Sequence, residues 1–441
     1  MPFTFLKYLQ PTHYFRLSRL AGTYIYPKVT ALPVSVSTQL VHDSNYTSAL
    51  AQDYDLSWQA IHCGYIGNCE TYTNFDTLPV VDNYRFARKY FSVFWVCYVL
   101  VMRLVTLHNP ISEWRGFWQT RQVKRLQLQP LQESTPQGMP LDQPLSETPK
   151  VSVIIPTLNR YRYLKDVLAD LGQQDYPDVE VLVVDQSDPF QADFYTGYRL
   201  DLQVQQQTEK ALWLARNTAI KQAKGDYLLF FDDDSRVGTD WISKHVACIQ
   251  EFRADISSGV SISQVGAKTP ADYAYFKVSA QLDTGNALIH KRVFESIGLY
   301  DRQFEKQRMG DGEYGLRAYL HGFKNVSNPL AKRLHLKVGS GGLRDMGQWD
   351  AYRTPSLLDP RPVPSVLYLF RKYYGNAAAR LALLKTVPFS IMPYRFKRSK
   401  PMMLVGVLLS VVLAPVVCYQ VWKSWRKSSV MLREGALVDG C

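Results

Sequence analysis

The sequence lacks the paired cysteines of a zinc site and the glycine-rich phosphate loops of the common nucleotide-binding folds. None of its six cysteines has CxxC spacing, so a structural metal site is not expected. Cys63 and Cys69 either bridge in an oxidising compartment or stay as free thiols. Neither GxGxxG nor GxxxxGK[ST] follows the apolar run at Val151, which argues against a dinucleotide fold and a P-loop.

Acidic residues are fewer than basic ones, at 39 Asp and Glu against 51 Lys and Arg, which gives a formal net charge of +12. Such an excess suits an anionic partner: a nucleic acid, a nucleotide or a phospholipid surface. Much of the charge lies beside apolar segments, between Arg395 and Lys400 and between Lys423 and Lys427. This placement favours a membrane over nucleic acid.

Long uncharged apolar runs are also scarce. The longest, residues 401–422, matches the roughly 20 residues that cross a bilayer. We predict a transmembrane or membrane-embedded helix there, which Pro415 allows to kink or re-enter; a buried core helix is the alternative. Residues 86–110 are a second candidate membrane or interfacial helix, because Arg103 can snorkel to the headgroups.

The rest of the N-terminal half gives weaker signals. Residues 1–85 have an unknown role, with strand-like pieces such as Lys28 to Val36, and the first 20 residues lack the apolar core of a cleaved signal peptide. Residues 111–150 are predicted to be a linker because their second half is rich in Gln, Pro, Ser and Thr.

From Val151 strands alternate with helices, the pattern of a mostly parallel sheet covered on both faces. Strands are predicted at 151–156, 179–184, 202–204 and 227–231, and helices near 161–171 and 211–223. We therefore predict a catalytic domain at 151–350, then a helical basic region at 351–400 and, after the apolar segment, a tail at 423–441.

Three consecutive carboxylates, Asp232, Asp233 and Asp234, follow the apolar strand that ends at Phe231. A buried strand ends where its sheet meets solvent, so the three are presented together at the rim. Their repulsion would raise the pKa of at least one unless a cation such as Mg²⁺ or Mn²⁺ is present. A solvated acidic turn is the alternative for this stretch alone.

Other candidate residues also lie at strand or helix ends, where ligands bind in open α/β sheets. Asp185 ends the second strand and can accept hydrogen bonds from a base or ribose; a turn-forming Asp is the alternative. Asp311 begins a helix, where it either stabilises the helix dipole or acts as a general base. His335, before a glycine-rich stretch, is either structural or completes a carboxylate metal shell.

Together these segments resemble glycosyltransferase family 2, the large inverting group with the GT-A fold. The matching segments are, in order, Val151 to Arg160, Val183 to Asp185, Ala215 to Asn217, Gly225 to Asp234, Gly285 to Ala287, Phe294 to Gly298 and Gly310 to Glu313. The resemblance covers roughly residues 151–342. It implies an α/β nucleotide-diphospho-sugar transferase fold with a mostly parallel central sheet flanked by helices.

The resemblance also implies roles for individual residues. The implied nucleotide-sugar contacts are Pro156, Thr157, Asp185, Lys210, Arg216, Asp232 and Asp233. Asp234, with Asp232 and His335, would hold Mg²⁺ or Mn²⁺, and Asp311 falls where the family places its catalytic Asp.

The chain departs from the family pattern at two places. Gly310 replaces the glutamate that usually precedes the catalytic Asp, and Glu209-Lys210 stands where a glycine is common. The QxxRW sequence of processive synthases is absent, which favours addition of a single sugar.

The resemblance thus implies inverting transfer of a sugar from a nucleoside diphosphate sugar to a glycan or lipid-linked acceptor, in cell-surface polysaccharide or glycolipid assembly, without nucleic acid. A membrane-associated protein with a cytosolic catalytic domain, at the bacterial inner membrane, is expected. A nucleotidyltransferase is one alternative, although Asn159 to Arg162 lacks the required glycines. A non-catalytic membrane protein with a degenerate transferase domain is the other.

Overall fold

The structure, a computed structural model, describes residues 1–137, 145–263, 271–338, 342, 350–354, 356–396 and 399–440. Part of the predicted linker, most of the glycine-rich stretch after His335, and the basic residues Lys397 and Arg398 lie outside these ranges.

The described chain contains fourteen α-helices and nine β-strands. The helices are α1 (Leu6–Leu9), α2 (Val34–Ser37), α3 (Ala49–His62), α4 (Val80–Tyr90), α5 (Val93–Val105), α6 (Pro110–Gln119), α7 (Tyr161–Leu171), α8 (Leu212–Gln222), α9 (Trp241–Phe252), α10 (Lys291–Ile297), α11 (Gly310–Leu320), α12 (Pro364–Thr386), α13 (Lys400–Val412) and α14 (Ala414–Glu434). The strands are β1 (Val151–Thr157), β2 (Val179–Asp185), β3 (Asp201–Gln206), β4 (Tyr227–Phe231), β5 (Ser235–Val237), β6 (Ile256–Ser263), β7 (Lys277–Val278), β8 (Asn286–His290) and β9 (Asn325–His335).

All strands belong to one sheet in the order β3-β2-β1-β4-β8-β6-β9-β5, with β7 also paired to β9. Strands β1 to β4 are parallel, whereas β8 runs antiparallel to both β4 and β6. The sheet is therefore mixed: the prediction of a mostly parallel sheet holds for β1 to β4, whereas in the second half β6 and β9 pair in parallel and the other pairings are antiparallel. That half uses returning strands, which the helix-strand alternation at the start of the domain does not indicate.

The strands and helices predicted between residues 151 and 231 are confirmed to within a few residues at each end. Successive side chains of β1 point to opposite faces of the sheet. Val153 and Ile155 enter the core under α7 and α9, and Ile154 enters the core on the α8 and α11 side. Helices therefore cover both faces, as an α/β GT-A-like fold requires.

The N-terminal region packs onto the catalytic domain. Tyr14, Trp58 and Phe86 lie in the same apolar cluster as Trp213 of α8 and Tyr314 of α11. The strand predicted over residues 28–36 is wrong: the chain forms a 3₁₀ turn and then α2. α5 lies within the predicted membrane or interfacial segment, residues 86–110. α6 begins at the last residue of that segment and occupies the start of the predicted linker, residues 111–150.

The apolar C-terminal segment is not one straight helix. α13 and α14 meet at Leu413 with a bend of 87°. Among the described residues no single helix has the length and apolarity to cross a bilayer, and this bent pair satisfies those criteria only when its two helices are taken together. α14 continues to Glu434, so the predicted tail begins as a helix.

Candidate functional site

The three consecutive carboxylates occupy the tight turn that connects β4 to β5. Asp232 directly follows β4, and Asp234 precedes β5. Because β5 pairs antiparallel with β9 in the register Ser235 to His335, the imidazole comes to this turn. His335 Nε2 lies 3.2 Å from Asp234 Oδ1. The predicted grouping of Asp232, Asp234 and His335 is therefore present.

An arginine contacts each carboxylate of this donor carboxylate cluster, as we call Asp232, Asp233 and Asp234. Arg160 Nη1 lies 2.9 Å from Asp233 Oδ1 and 3.3 Å from Asp234 Oδ2. Asp232 is held from two sides, by Arg333 at 2.7 Å and Arg216 at 3.3 Å. All three guanidinium groups are buried, so these ion pairs are poorly screened by water.

Burial and the arginines act on these carboxylates in opposite directions. Burial raises the pKa of Asp232, but Arg333 and Arg216 outweigh it and the net pKa is below the usual range. Burial and the neighbouring Asp234 raise the pKa of Asp233 to about 6, in spite of Arg160. Asp234 again has a lowered pKa, because the hydrogen bond with His335 and the charges of His335 and Arg160 outweigh burial. Asp232 and Asp234 are therefore the ionised members.

The ionised members fit a divalent cation. One ligand atom from each of Asp232, Asp234 and His335 lies within 4.8 Å of the others. Two carboxylates and an imidazole form a donor set that Mn²⁺ accepts, and Mg²⁺ is satisfied by the carboxylates.

The predicted nucleotide contacts divide into two groups. Two of them contact the donor carboxylate cluster: Thr157 donates to Asp233 Oδ2 at 2.8 Å, and Arg216 donates to Asp232 Oδ1 at 3.3 Å. Asp185 is fully buried and accepts from the Tyr161 hydroxyl, the Tyr195 hydroxyl and the Ser187 amide at 2.7 to 2.8 Å, so its oxygens are already engaged. Pro156 is a buried residue of β1, and Lys210 lies half-buried just before α8.

Asp311 lies in the first turn of α11, half-buried. Its Oδ1 accepts from the Gly312 amide at 2.8 Å, and no described cation forms an ion pair with it. Burial and the nearby Asp283 raise its pKa, although Arg308 and Arg216 oppose the shift. The preceding Met309 has φ 80°, an uncommon value for a non-glycine residue. A carboxylate with a raised pKa is suited to accept a proton near neutral pH.

Asp311 and the donor carboxylate cluster are connected through charged side chains. Arg333 bonds Asp232 through Nη1 and Asp283 through Nη2, at 2.7 and 3.0 Å. Asp283 in turn acts electrostatically on Asp311. A Cβ on Gly285 would lie 2.1 Å from Arg333 Nη1, so only glycine leaves room for the Arg333–Asp232 pair. Arg216, which pairs with Asp232, also acts on Asp311, so the two parts of the site interact through shared charged neighbours.

The missing glutamate at position 310 has a steric reason. A Cβ on Gly310 would lie 2.3 Å from the ring of Trp213, whose indole donates to the Phe304 carbonyl at 3.1 Å. Trp213 thus fills the space beside Asp311. On the same helix, the Tyr14 hydroxyl donates to the Gly312 carbonyl, so the N-terminal region contacts the turn that carries Asp311.

Part of the chain matches a known protein family. Residues 152–303 match the family model described as glycosyl transferase family 2. The chain contains a glycosyltransferase family 2 domain. This confirms the predicted resemblance, and the matched residues include β1, the donor carboxylate cluster and Asp283. Asp311 and His335 follow the matched range, so their assignment rests on the structure and on the sequence pattern.

Several glycosyltransferases align with parts of this domain. TarS of Staphylococcus aureus, a poly(ribitol-phosphate) beta-N-acetylglucosaminyltransferase, is 35% identical over 114 residues, which cover 24% of this chain and 20% of TarS. Glycosyltransferase GlyA of Streptococcus pneumoniae is 26% identical over 168 residues, 36% of this chain and 22% of GlyA. The chain thus spans about a fifth of the length of these relatives.

Solved structures also resemble the chain. The structure of S. aureus TarS residues 1–349 with UDP-GlcNAc has a TM-score of 0.42 and 19% identity, covering 65% of this chain and 92% of that one. The mannosyltransferase PcManGT of Pyrobaculum calidifontis, with GDP-Man and Mn²⁺, has a TM-score of 0.42 and 16% identity, covering 66% and 90%.

Several residues of the site were not predicted from the sequence. Arg160 lay inside a matching segment and could have been noticed as a buried cation at a strand end. Arg333 and Asp283 lie far apart in sequence, and only the pairing of β6 with β9 brings them together. Trp213 and Tyr14 come from a helix and from the N-terminal region, and no local pattern links them to Gly310 or Gly312.

Proposed function

We propose that this protein transfers a sugar from a nucleoside diphosphate sugar to an acceptor hydroxyl, with inversion at the anomeric carbon. One observation carries the proposal: the ionised carboxylates of Asp232 and Asp234 lie together with His335, and Asp311, whose pKa is raised, interacts with this group through Arg216 and Asp283. An inverting transfer needs a group that stabilises the leaving diphosphate and, opposite it, a base that receives the acceptor proton.

The charge balance explains why the donor site needs a cation. Four carboxylates, Asp232, Asp233, Asp234 and Asp283, are matched among the described residues by the guanidinium groups of Arg160, Arg216 and Arg333 and by the imidazole of His335. An entering diphosphate would therefore meet no surplus positive charge. Mg²⁺ or Mn²⁺ held by Asp232, Asp234 and His335 would supply it and neutralise the leaving group.

Asp311 performs the proton transfer in this scheme. Its carboxylate accepts the hydroxyl proton as the oxygen attacks the anomeric carbon and the bond to the diphosphate breaks. The Gly312 amide fixes one carboxylate oxygen, and Trp213 excludes water from the Gly310 side. The absence of QxxRW supports one sugar per acceptor, and we place the reaction in cell-surface polysaccharide or glycolipid assembly.

A panel of nucleotide sugars tests the proposal. Purified protein is incubated with each donor and Mn²⁺, with UDP-GlcNAc first because a matching TarS structure holds it. We expect one donor to stabilise the protein thermally and to release nucleoside diphosphate slowly in water. Release of pyrophosphate from a nucleoside triphosphate and a sugar 1-phosphate, supplied in a parallel assay, would instead identify a nucleotidyltransferase. Neither stabilisation nor release with any substrate would leave the degenerate-domain alternative.

A further inference from the structure

Exposed apolar side chains are concentrated in two short segments. Of the 27 large hydrophobic residues exposed in the described chain, 18 lie in residues 93–118 and 404–422. Single exposed apolar residues are normal on a protein surface, whereas a contiguous group marks a contact with a partner or a membrane.

α5 is apolar on both of its sides. Val96 and Val99 are fully buried against the N-terminal region, yet Phe94, Val101 and Val105 on the same helix are 54 to 70% exposed. A surface helix in water normally has a polar outer face. The outer face of α5 is therefore built for an apolar environment.

α13 has the same character and adjoins α5. Leu404, Leu408 and Val412 are exposed, and Gly406 is its only buried residue. The turn around Phe389 connects α13 to α5. The ring centre of Phe389 lies 6.1 Å from that of Phe94 on α5, and Met392, three residues later, packs against Gly406 of α13. The exposed faces of α5 and α13 are thus parts of one surface.

α6 extends this surface with aromatic residues. Glu113 of α6 is ion-paired with Arg103 of α5, which fixes the two helices together. Trp114 and Trp118 are more than half exposed and their rings are nearly parallel, 6.5 Å apart. Tryptophan is enriched at the interface between lipid and water.

The surrounding charge indicates the occupant. The described residues within 93–125 and 394–430 include ten basic residues and one acidic residue, and that residue, Glu113, is buried in its ion pair with Arg103. A water-soluble protein partner with an apolar patch would not need such a basic border. Anionic phospholipid headgroups match it, at about 1 kcal/mol for each basic residue near the surface.

Helix lengths and the contacts of the C-terminal residues indicate whether the apolar helices span the membrane or lie in its plane. α5 and α13 each have 13 residues, about 20 Å at 1.5 Å per residue, against about 30 Å of hydrocarbon. Beyond α14, Leu437 bonds Asp301 and Arg302, and Asp439 pairs with Lys221, all within the catalytic domain. A crossing at 401–422 would place these partners on opposite sides of the bilayer.

We propose that α5, α6 and α13 form one in-plane docking surface for a bilayer that contains anionic phospholipids. The catalytic domain and the C-terminus then lie on the same side of the membrane. This binding does not depend on the proposed sugar transfer, and it replaces the predicted transmembrane helix with an interfacial one.

Vesicle flotation of the full chain tests the surface. We expect wild-type protein to float with vesicles of phosphatidylcholine and phosphatidylglycerol, and much less with phosphatidylcholine alone or in high salt. The double variant Leu404→Gln/Leu408→Gln should lose binding about tenfold or more. The control Leu20→Gln/Val34→Gln, which changes two apolar residues elsewhere that are even more exposed, should bind as wild type.

The proposal would be overturned if wild-type protein did not float, if the two double variants floated equally, or if flotation did not depend on anionic lipid. A stable wild-type dimer that only Leu404→Gln/Leu408→Gln dissociates would also overturn it. The in-plane arrangement is tested on the vesicle-bound protein by carbodiimide, which joins amines to carboxylates in contact. We expect a Lys221–Asp439 cross-link in bound and free protein alike. A cross-link found only in free protein would show a spanning segment and contradict the in-plane arrangement.

Discussion

The donor carboxylate cluster and Asp311 share charged neighbours, Arg216 and Asp283, but the pKa values of Asp232 and Asp234 are shifted in the opposite direction to that of Asp311. Each carboxylate of the cluster contacts a buried arginine, and the pKa values of Asp232 and Asp234 are lowered. Asp311 instead accepts a hydrogen bond from the Gly312 amide and lies near Tyr14 and Tyr300, and its pKa is raised. The same residue type is thus set to remain charged in one place and to accept a proton in the other.

Loss of the base should have the largest effect. Asp311→Asn keeps the shape of the side chain and cannot accept the proton, so kcat should fall by about 10²- to 10⁴-fold. Steady-state kinetics of nucleoside diphosphate release with an acceptor measure it. Asp166→Asn, an exposed change on α7, is the control. Wild-type kcat in Asp311→Asn would remove the base assignment.

Loss of a cluster carboxylate should act on the metal instead. Asp234→Asn removes an ionised ligand, and we expect the Mn²⁺ concentration for half-maximal activity to rise about 10- to 100-fold or more. Manganese titration of activity measures it, with Asp193→Asn, a change on the exposed loop after β2, as control. An unchanged manganese dependence would exclude Asp234 as a ligand.

Filling the space beside the base should affect stability. Gly310→Ala drives a Cβ into Trp213 and should cost about 1–3 kcal/mol in free energy of unfolding, measured by denaturant titration. Gly172→Ala is the matched control, because its new Cβ meets nothing closer than 3.6 Å. Equal stability of the two variants would mean that Trp213 does not restrict position 310.

The pH profile should report the raised pKa of Asp311. The base works when ionised, so kcat/KM should be lost as the pH falls through a pKa above that of an ordinary aspartate. Arg308 lowers this pKa, hence Arg308→Gln should move the acid limb to higher pH and Arg308→Lys should leave it in place. An acid limb that does not move in Arg308→Gln would show that another group controls it.

The smallest effect is expected at the contact from the N-terminal region. Tyr14→Phe removes the hydrogen bond to the Gly312 carbonyl, worth about 1 kcal/mol. We expect kcat to fall a few-fold while the donor Kd is unchanged, because Tyr14 positions the turn that carries Asp311. Tyr163→Phe on α7 is the control. A change in donor Kd without one in kcat would contradict a positioning role.

The sequence predicted the first half of the domain well because its signals are local. The apolar runs of β1 and β4 and the carboxylates that follow them need no distant residue to be recognised. The mixed second half of the sheet depends on pairing between β6, β8 and β9, whose partners are up to 72 residues apart, as Ser263 and His335 are.

The same distinction applies to the site. Asp232, Asp234 and His335 could be predicted as a group because strand ends meet at one edge of a sheet. The reason for Gly310 could not, since Trp213 reaches it from a helix almost 100 residues earlier. The apolar segment at 401–422 was recognised by composition, but its bend and the return of the C-terminus to Asp301 follow only from tertiary contacts.

The separate roles of Asp311 and the donor carboxylate cluster are tested most directly by measuring donor binding and turnover on the same preparations of Asp311→Asn and Asp234→Asn. Isothermal calorimetry with the donor and Mn²⁺ gives Kd, and nucleoside diphosphate release gives kcat. We predict that Asp311→Asn binds the donor like wild type but turns over at least 10²-fold more slowly, whereas Asp234→Asn loses Mn²⁺-dependent donor binding. Wild-type turnover by Asp311→Asn, or wild-type donor binding by Asp234→Asn, would contradict the account.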